Sequence, residues 1–236
     1  MTGVRILPVE GIAEVRAGDD LAALIGEVAE LEDGDVLVVA QKVVSKAEGR
    51  VVHLDDVEAS ERAVELAADR DPRELEVVLR EARRLVRVRP PLVIAETRHG
   101  FVCASAGVDH SNAGGPSELV LLPLDPDASA RRLSELLGVP VIVSDSFGRP
   151  FRKGTTDVAI GIAGMPALLD LRGVRDSAGY ELRTTTIAIA DEIAAAAELV
   201  MGKITGIPAA IVRGLALRGD GNARDLVMPA ERDLFR

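Results

Sequence analysis

Residues 141–161, "VIVSDSFGRPFRKGTTDVAIG", begin as a buried strand and become polar within a few positions. Val141, Ile142 and Val143 form an apolar, β-branched run of the kind found in a strand that is covered on both faces. Three cations, two carboxylates and two glycines follow before residue 158. Ligands of open α/β sheets gather beyond the carboxyl ends of strands, so this transition predicts an α/β sheet with a ligand site at its edge.

The polar part of this stretch is suited to phosphate and metal. Asp145 and Ser146 offer adjacent hard oxygen ligands, which Mg²⁺ and Mn²⁺ prefer. Arg149, Arg152 and Lys153 offer positive charge for phosphate groups. A solvated turn is the alternative interpretation of the same residues. The stretch is not a Walker A loop, because its lysine is followed by glycine instead of serine or threonine.

Two further strand ends carry polar groups. In residues 104–118, Asp109 is a candidate second metal ligand and Asn112 a candidate nucleotide contact. In residues 40–50, Lys46 follows a predicted buried strand and can supply a charge to a nucleotide phosphate. Taken singly, these stretches are equally consistent with a surface loop and with exposed lysines. Together, three such strand ends indicate a metal-dependent, nucleotide-using enzyme.

The composition limits the kind of partner. The chain has 236 residues, 28 Lys and Arg against 38 Asp and Glu, and a net charge of -10. This balance argues against nucleic-acid or anionic-membrane partners, which favour a basic face. The single cysteine excludes a disulfide framework and a thiolate metal cage. With no apolar run of about 20 residues and no apolar signal core, we expect a cytoplasmic protein.

Hydrophobic periodicity predicts alternating strands and helices, and therefore a mixed α/β (α+β) architecture. Helices are predicted over 60–69 and 73–88, and a polar break is expected to follow the strand at 36–40. In residues 125–138 we expect a helix with its N-cap near Asp127 or Ser129.

The last third of the chain is expected to contain a strand over 181–190 and then an alanine-rich helix. Asp191 is predicted to cap that helix and Gly202 to end it. A final strand is predicted in 207–214. Strand order cannot be obtained from these patterns.

Five segments of the chain resemble the coenzyme F420-0:L-glutamate ligase family. They are "LPVEGI", "VVAQKVVSKAEGR", "RHGFVCASAGVDHSNAG", "VSDSFGRPFRKGTTDVAIG" and "ADEIAAAAELVMGK…GIPAAIVRG". The resemblance implies the α/β fold of these ligases in an intertwined homodimer. It also implies one ligase region over 1–236, with two subdomains as an alternative, and no C-terminal nitroreductase-like domain of the kind found in bacterial two-domain ligases.

The resemblance further implies an activity. Members of the family add L-glutamate to the deazaflavin precursor F420-0 and then add further γ-linked glutamates. GTP drives this addition through an acyl phosphate and becomes GDP and phosphate. The implied cofactors are Mn²⁺ or Mg²⁺, together with K⁺.

Site residues follow from the same resemblance. The positions that match metal ligands are Asp109, Asp145 and Ser146. The positions that match nucleotide contacts are Gly11, Ile12, Ala13, Glu14, Gln41, Lys46, Asn112, Met201, Gly202 and Lys203. Position 41 commonly carries serine in relatives. Arg149 and Lys153 join the two aspartates as candidate catalytic residues, acting on the triphosphate, the F420-0 phosphodiester or the glutamate carboxylates.

Two rival functions remain open from the sequence. One is another nucleotide-dependent acid–amine ligase that acts on a different carboxylate. The other is a non-catalytic paralogue that binds a nucleotide or a deazaflavin. A panel of substrates separates the first rival from an F420 ligase, and GTP binding without GDP formation identifies the second.

Overall fold

The computed structural model describes residues 3–234, so the first two and last two positions of the expected 1–236 region lie outside it. The architecture is mixed α/β, as predicted. In chain order, the strands and α-helices are β1 (Arg5–Pro8), α1 (Leu21–Gly26), β2 (Val36–Ala40), α2 (Gln41–Ala47), β3 (Val51–His53), α3 (Glu61–Ala67), α4 (Pro72–Glu81), β4 (Ala82–Arg89), β5 (Leu92–Thr97), β6 (Val102–Ala104), β7 (Glu118–Val120), α5 (Pro126–Leu137), β8 (Val141–Gly148), β9 (Thr155–Ala163), β10 (Leu169–Asp170), β11 (Thr186–Ile187), α6 (Ile189–Met201) and β12 (Ala209–Arg213).

The central sheet contains five strands in the order β1-β12-β2-β8-β9. β2 and β8 run parallel, with Ala40 paired to Ser144, and their neighbours in the sheet are antiparallel. The four residues from Val36 to Val39 are completely buried. Burial of consecutive residues requires cover on both faces of the sheet. Helices α5 and α6 both pack against β9 and contribute to this cover.

The close packing of α5 on β9 depends on Gly161. A Cβ atom at this position would lie 2.2 Å from the carbonyl oxygen of Pro126. Asp127, in the first turn of α5, also accepts a hydrogen bond from the amide of Ile162 at 2.9 Å. The backbone of β9 is therefore in direct contact with the first turn of α5.

Three smaller sheets lie outside the central sheet, and one of them is the two-stranded pair of β10 and β11. β4, β5 and β6 form a three-stranded antiparallel sheet that shares a small core with α3 and α4, and β3 pairs with β7. A further apolar cluster joins Leu54, Val77 and Leu119. The division of the chain into one region or two subdomains stays a prediction.

The helix predicted over 73–88 ends earlier than expected. α4 stops at Glu81, and Ala82 takes an extended conformation that begins β4. Beyond this point Val86 and Val88 alternate with Arg87 and Arg89, and β-branched residues in an alternating pattern favour a strand.

The polar break expected after β2 is wrong, because α2 begins at once. Gln41, Val44 and Ser45 are buried, and this spacing of three and four residues is that of one helix face. The loop expected after 141–144 is also wrong over its first part. β8 continues to Gly148 and forms a hairpin with β9, so Asp145 and Ser146 are strand residues.

Three expectations about the ends of elements are corrected. The N-cap of α5 is Asp125, whose side chain accepts from the amide of Ala128, because Pro126 occupies the first helical position. Of the strand expected over 181–190, only β11 forms, since α6 already begins at Ile189. Asp191 lies inside α6 and accepts from the amide of Ala159 instead of capping the helix.

Gly138 ends α5 in a left-handed conformation and Gly202 follows α6, as predicted. Within residues 3–234, no helix is long and apolar enough to cross a membrane.

We predict that Gly161→Ala destabilises the protein by about 1–3 kcal/mol, because the added methyl group overlaps the α5 backbone. The urea midpoint of unfolding measures the effect. Gly148→Ala on the same hairpin is the matched control, since nothing lies within 4 Å of its added Cβ. Equal midpoints for the two variants would contradict the close contact between β9 and α5.

Candidate active site

A cleft of about 300 Å³ opens where β2 and β8 end. Residues 12–15, the start of α2 and the end of β8 line it, together with Asp157 of β9 and the segment that follows α6. Because parallel strands end at the same edge, the cleft lies where the sequence predicts a ligand site, which stays a prediction.

The structure brings most of the predicted site residues to this cleft. Those that line it are Ile12, Ala13, Glu14, Gln41, Lys46, Asn112, Asp145, Ser146, Met201, Gly202 and Lys203. Those that do not are Gly11, Asp109, Arg149 and Lys153. Arg149 donates to the carbonyl of Lys153 at 3.1 Å in the hairpin turn, and neither residue lines the cleft.

Two lysines, one turn apart on α2, place positive charge at the cleft. The Lys42 ammonium lies 2.6 Å from Oδ2 of Asp109, and the Lys46 ammonium lies 2.6 Å from Oε1 of Glu14. Both lysine side chains are about nine-tenths buried. The sequence pattern alone assigns no role to Lys42. Its spacing of four residues from Lys46 is the one sequence signal for it, because residues i and i+4 share a helix face.

The ion pair with Lys42 settles the charge of Asp109. Burial alone would raise the pKa of Asp109, but the hydrogen bond and charge of Lys42 and the hydrogen bonds from Ser111 hold that pKa below its usual value. Ser111 donates to Asp109 through its backbone amide at 2.8 Å and its hydroxyl at 3.0 Å. Asp109 is therefore an ionised carboxylate that contacts Lys42 and Ser111, and of these partners Lys42 lines the cleft.

Asp157 is a second residue that the sequence did not assign to the site. It is 5% exposed, and it accepts hydrogen bonds from the hydroxyls of Ser146 at 2.6 Å and Ser144 at 3.1 Å. Ser146 and Asp157 are direct partners across the hairpin. Since the Ser146 proton points to Asp157, the lone pairs of the Ser146 oxygen remain available to a cation.

The carboxyl group of Asp145 has an unusual proton affinity. Part of its surface lines the cleft, but protein surrounds it densely, and this burial raises its pKa to about 7. The charge of Asp157 raises the pKa further, whereas the Ser146 amide, Lys203 and Lys42 lower it. A cation bound next to Asp145 would stabilise the ionised carboxylate and so lower this raised pKa.

The donor set fits a hard divalent cation only in part. Within residues 3–234, no group of three or more Asp, Glu, His or Cys side chains is arranged to hold a metal by itself. Asp145 and Ser146 supply adjacent oxygen donors, and Asp109 supplies a carboxylate that Lys42 now neutralises. Further oxygen ligands would have to come from a bound phosphate, as is common for Mg²⁺.

Gln41 presents a buried donor without an acceptor. Its side-chain oxygen accepts from Ser45 at 2.8 Å, whereas its Nε2 has no hydrogen-bond partner among the described residues. The residue is 1% exposed and lines the cleft. An unmade buried hydrogen bond is costly, so a ligand oxygen at this position would be stabilised.

Comparison with known proteins adds independent information. Residues 11–214 match the model of the family described as F420-0:Gamma-glutamyl ligase. The chain is 52% identical to the coenzyme F420:L-glutamate ligase of Methanopyrus kandleri, over 99% of this chain and 98% of that protein. It is 45% identical to the proteins of that name from Methanothermobacter thermautotrophicus and Archaeoglobus fulgidus, over 99% of this chain and 99% and 96% of theirs.

We predict that Asp145 makes the metal-free protein less stable as the pH rises from about 4 to about 7. The folded-state pKa, about 7, lies above the reference value of 3.8, so the folded state binds the proton more tightly, and this advantage is lost as the pH rises. Thermal unfolding midpoints in chelator between pH 5 and pH 8 test this. The unfolding midpoint of Asp145→Asn should rise relative to that of the original chain as the pH increases. If the two midpoints change in parallel with pH, the raised pKa of Asp145 is contradicted.

Proposed function

The chain belongs to the F420-0:gamma-glutamyl ligase family, and from that membership we propose that it joins L-glutamate to coenzyme F420-0 with conversion of GTP to GDP and phosphate. The observation that carries this proposal is the cleft itself. In a chain of net charge -10, it combines two buried lysines with the oxygen donors of Asp145 and Ser146. Phosphoryl transfer depends on groups that position the phosphates and offset their negative charge, and these residue types can do both.

The proposed reaction has two steps. A carboxylate does not react with an amine until one of its oxygens becomes a good leaving group. The terminal carboxylate of F420-0 therefore takes the γ-phosphoryl group of GTP and forms an acyl phosphate. The neutral amine of L-glutamate then attacks the acyl carbon, and phosphate leaves with the electron pair of the broken C–O bond. The nitrogen releases one proton and becomes the amide. Repetition on the product would add further γ-linked glutamates.

The cleft residues have distinct proposed roles in the first step. Lys42 and Lys46 offset negative charge on the nucleotide phosphates, and Nε2 of Gln41 donates to a nucleotide oxygen. Asp145 and Ser146 hold Mn²⁺ or Mg²⁺, with Asp109 released from Lys42 to join them. When bound there, the divalent cation would supply positive charge that offsets the negative charge of the transferring phosphoryl group. The K⁺ requirement and the homodimer stay predictions from the resemblance.

The proposal is tested with purified protein, F420-0, L-glutamate, GTP and Mn²⁺, followed by mass spectrometry and measurement of GDP. We expect products heavier by successive glutamyl units, GDP formed in step with them, and neither product in the presence of chelator. A panel of other carboxylates addresses the rival acid–amine ligase. GTP binding with no GDP and no glutamylated product would contradict the proposal and identify a binding protein.

Asp157 is expected to act on the cation through Ser146. We predict that Asp157→Asn weakens Mn²⁺ binding about tenfold, because the amide no longer fixes the orientation of the Ser146 hydroxyl as the carboxylate does. Electron paramagnetic resonance of free Mn²⁺, in the absence of substrates, measures the affinity.

The matched control for this variant is Asp220→Asn, which removes the charge of an exposed aspartate that does not line the cleft. Its Mn²⁺ affinity should equal that of the original chain. Unchanged Mn²⁺ binding in Asp157→Asn, with a normal unfolding midpoint, would exclude a positioning role for Asp157.

A further inference from the structure

We propose that a second chamber beside the cleft binds the amino-acid substrate, L-glutamate. This inference rests on the proposed ligase function, because it assigns one of the three substrates of that reaction to a place in the fold. The chamber measures about 880 Å³ and is more open than the cleft. It is formed by residues 14–17, by the loop 110–116 and by Glu118 of β7.

The two spaces share a wall. Glu14, Lys46 and Asn112 line both the cleft and the second chamber. The Lys46–Glu14 ion pair therefore stands at their boundary. Nδ2 of Asn112 lies 3.5 Å from the carbonyl oxygen of Lys203, so the loop of Asn112 meets the segment after α6. An amine held at this boundary would be next to a carboxylate activated in the cleft.

The charges of the chamber match those of an amino acid with an acidic side chain. L-Glutamate carries one ammonium group and two carboxylates. Arg16 supplies an exposed guanidinium, and its side chain makes no hydrogen bond or ion pair with the residues that the structure describes. Glu14 and Glu118 supply carboxylates. Lys46, 2.6 Å from Glu14, is assigned to the nucleotide phosphates, and His110 lies 2.8 Å from Glu74. Arg16 is therefore the cation available to a ligand carboxylate.

The loop 110–116 packs on Glu118 through Gly114, and the missing side chain at this position keeps the chamber open. Gly114 has a φ of +128°, and a Cβ atom there would lie 2.5 Å from Oε2 of Glu118. A side chain at this position would thus displace the Glu118 carboxylate in addition to straining the backbone. The absence of a side chain lets the loop pack directly on Glu118 while its backbone forms part of the chamber wall.

These positions define an orientation for the bound amino acid. The ammonium group lies at the boundary, facing Glu14, and one or both carboxylates lie farther from the cleft, facing Arg16. In this orientation the nitrogen is directed to the cleft, where the acyl phosphate forms, and it becomes a nucleophile once the ammonium group gives a proton to Glu14 or to solvent. The nucleotide and the amino acid then occupy separate spaces and meet at one wall.

The test compares Arg16→Ala and Arg16→Lys with the original chain in steady-state ligation. The KM for L-glutamate should rise about tenfold in Arg16→Ala, because a charged hydrogen bond is lost, and less in Arg16→Lys. The KM for GTP should stay within about twofold. The matched control is Arg131→Ala, an exposed arginine of α5 that lines neither space, and both of its KM values should be unchanged.

Equilibrium dialysis of labelled L-glutamate against the full chain, with GDP and Mn²⁺ present, separates the two proposals. Binding that Arg16→Ala weakens supports the chamber even if no ligation is found, in which case only the proposed function fails. Ligation by the original chain with an unchanged KM for L-glutamate in Arg16→Ala overturns the chamber assignment alone. A rise in the KM for GTP instead, or no binding of L-glutamate to the original chain, also overturns it.

Discussion

The parallel pairing of β2 with β8 is the constraint on which the candidate site depends. It sets Ala40 beside Ser144, so α2 begins at the same edge of the sheet where Asp145 leaves the core. The pairing is held by complete burial of apolar residues on both strands, and a slip of one residue would turn every side chain of a strand to its other face. The packing of the core therefore positions lysines and carboxylates that are distant in sequence.

Local patterns were sufficient for part of this arrangement. The β-branched run at 141–143 and the polar residues after it predicted a buried strand and a site at its end, and the structure places Asp145, Lys46 and Asn112 around one cleft. The sequence does not predict that Asp157 lines the cleft, because its contact with Ser146 depends on the register of a hairpin. Register is set by pairing between strands, which no short stretch of sequence shows.

The two wrong predictions of secondary structure, over 73–88 and over 41–47, have a common physical origin. Over 73–88 and over 41–47, single residues are compatible with either a helix or an extended chain, and packing decides between them. β4 is extended because it pairs with β5, and α2 is helical because Gln41 and Val44 face the same buried space. Tertiary contacts outweigh intrinsic propensities, which differ by less than about 1 kcal/mol per residue.

The hairpin of β8 and β9 contains a bulge, since Val143 pairs with Gly161 but Ser144 pairs with Ala159, which leaves Ile160 as an extra residue. This extra residue sets the phase in which Asp157 faces Ser146. A deletion or insertion of one residue between Asp157 and Gly161 would turn the carboxylate away from the serines. Changes of length in the turn at 149–154 would leave the pairing of Asp157 with Ser146 intact. In the segment 157–161, by contrast, no residue can be added or removed without losing that pairing.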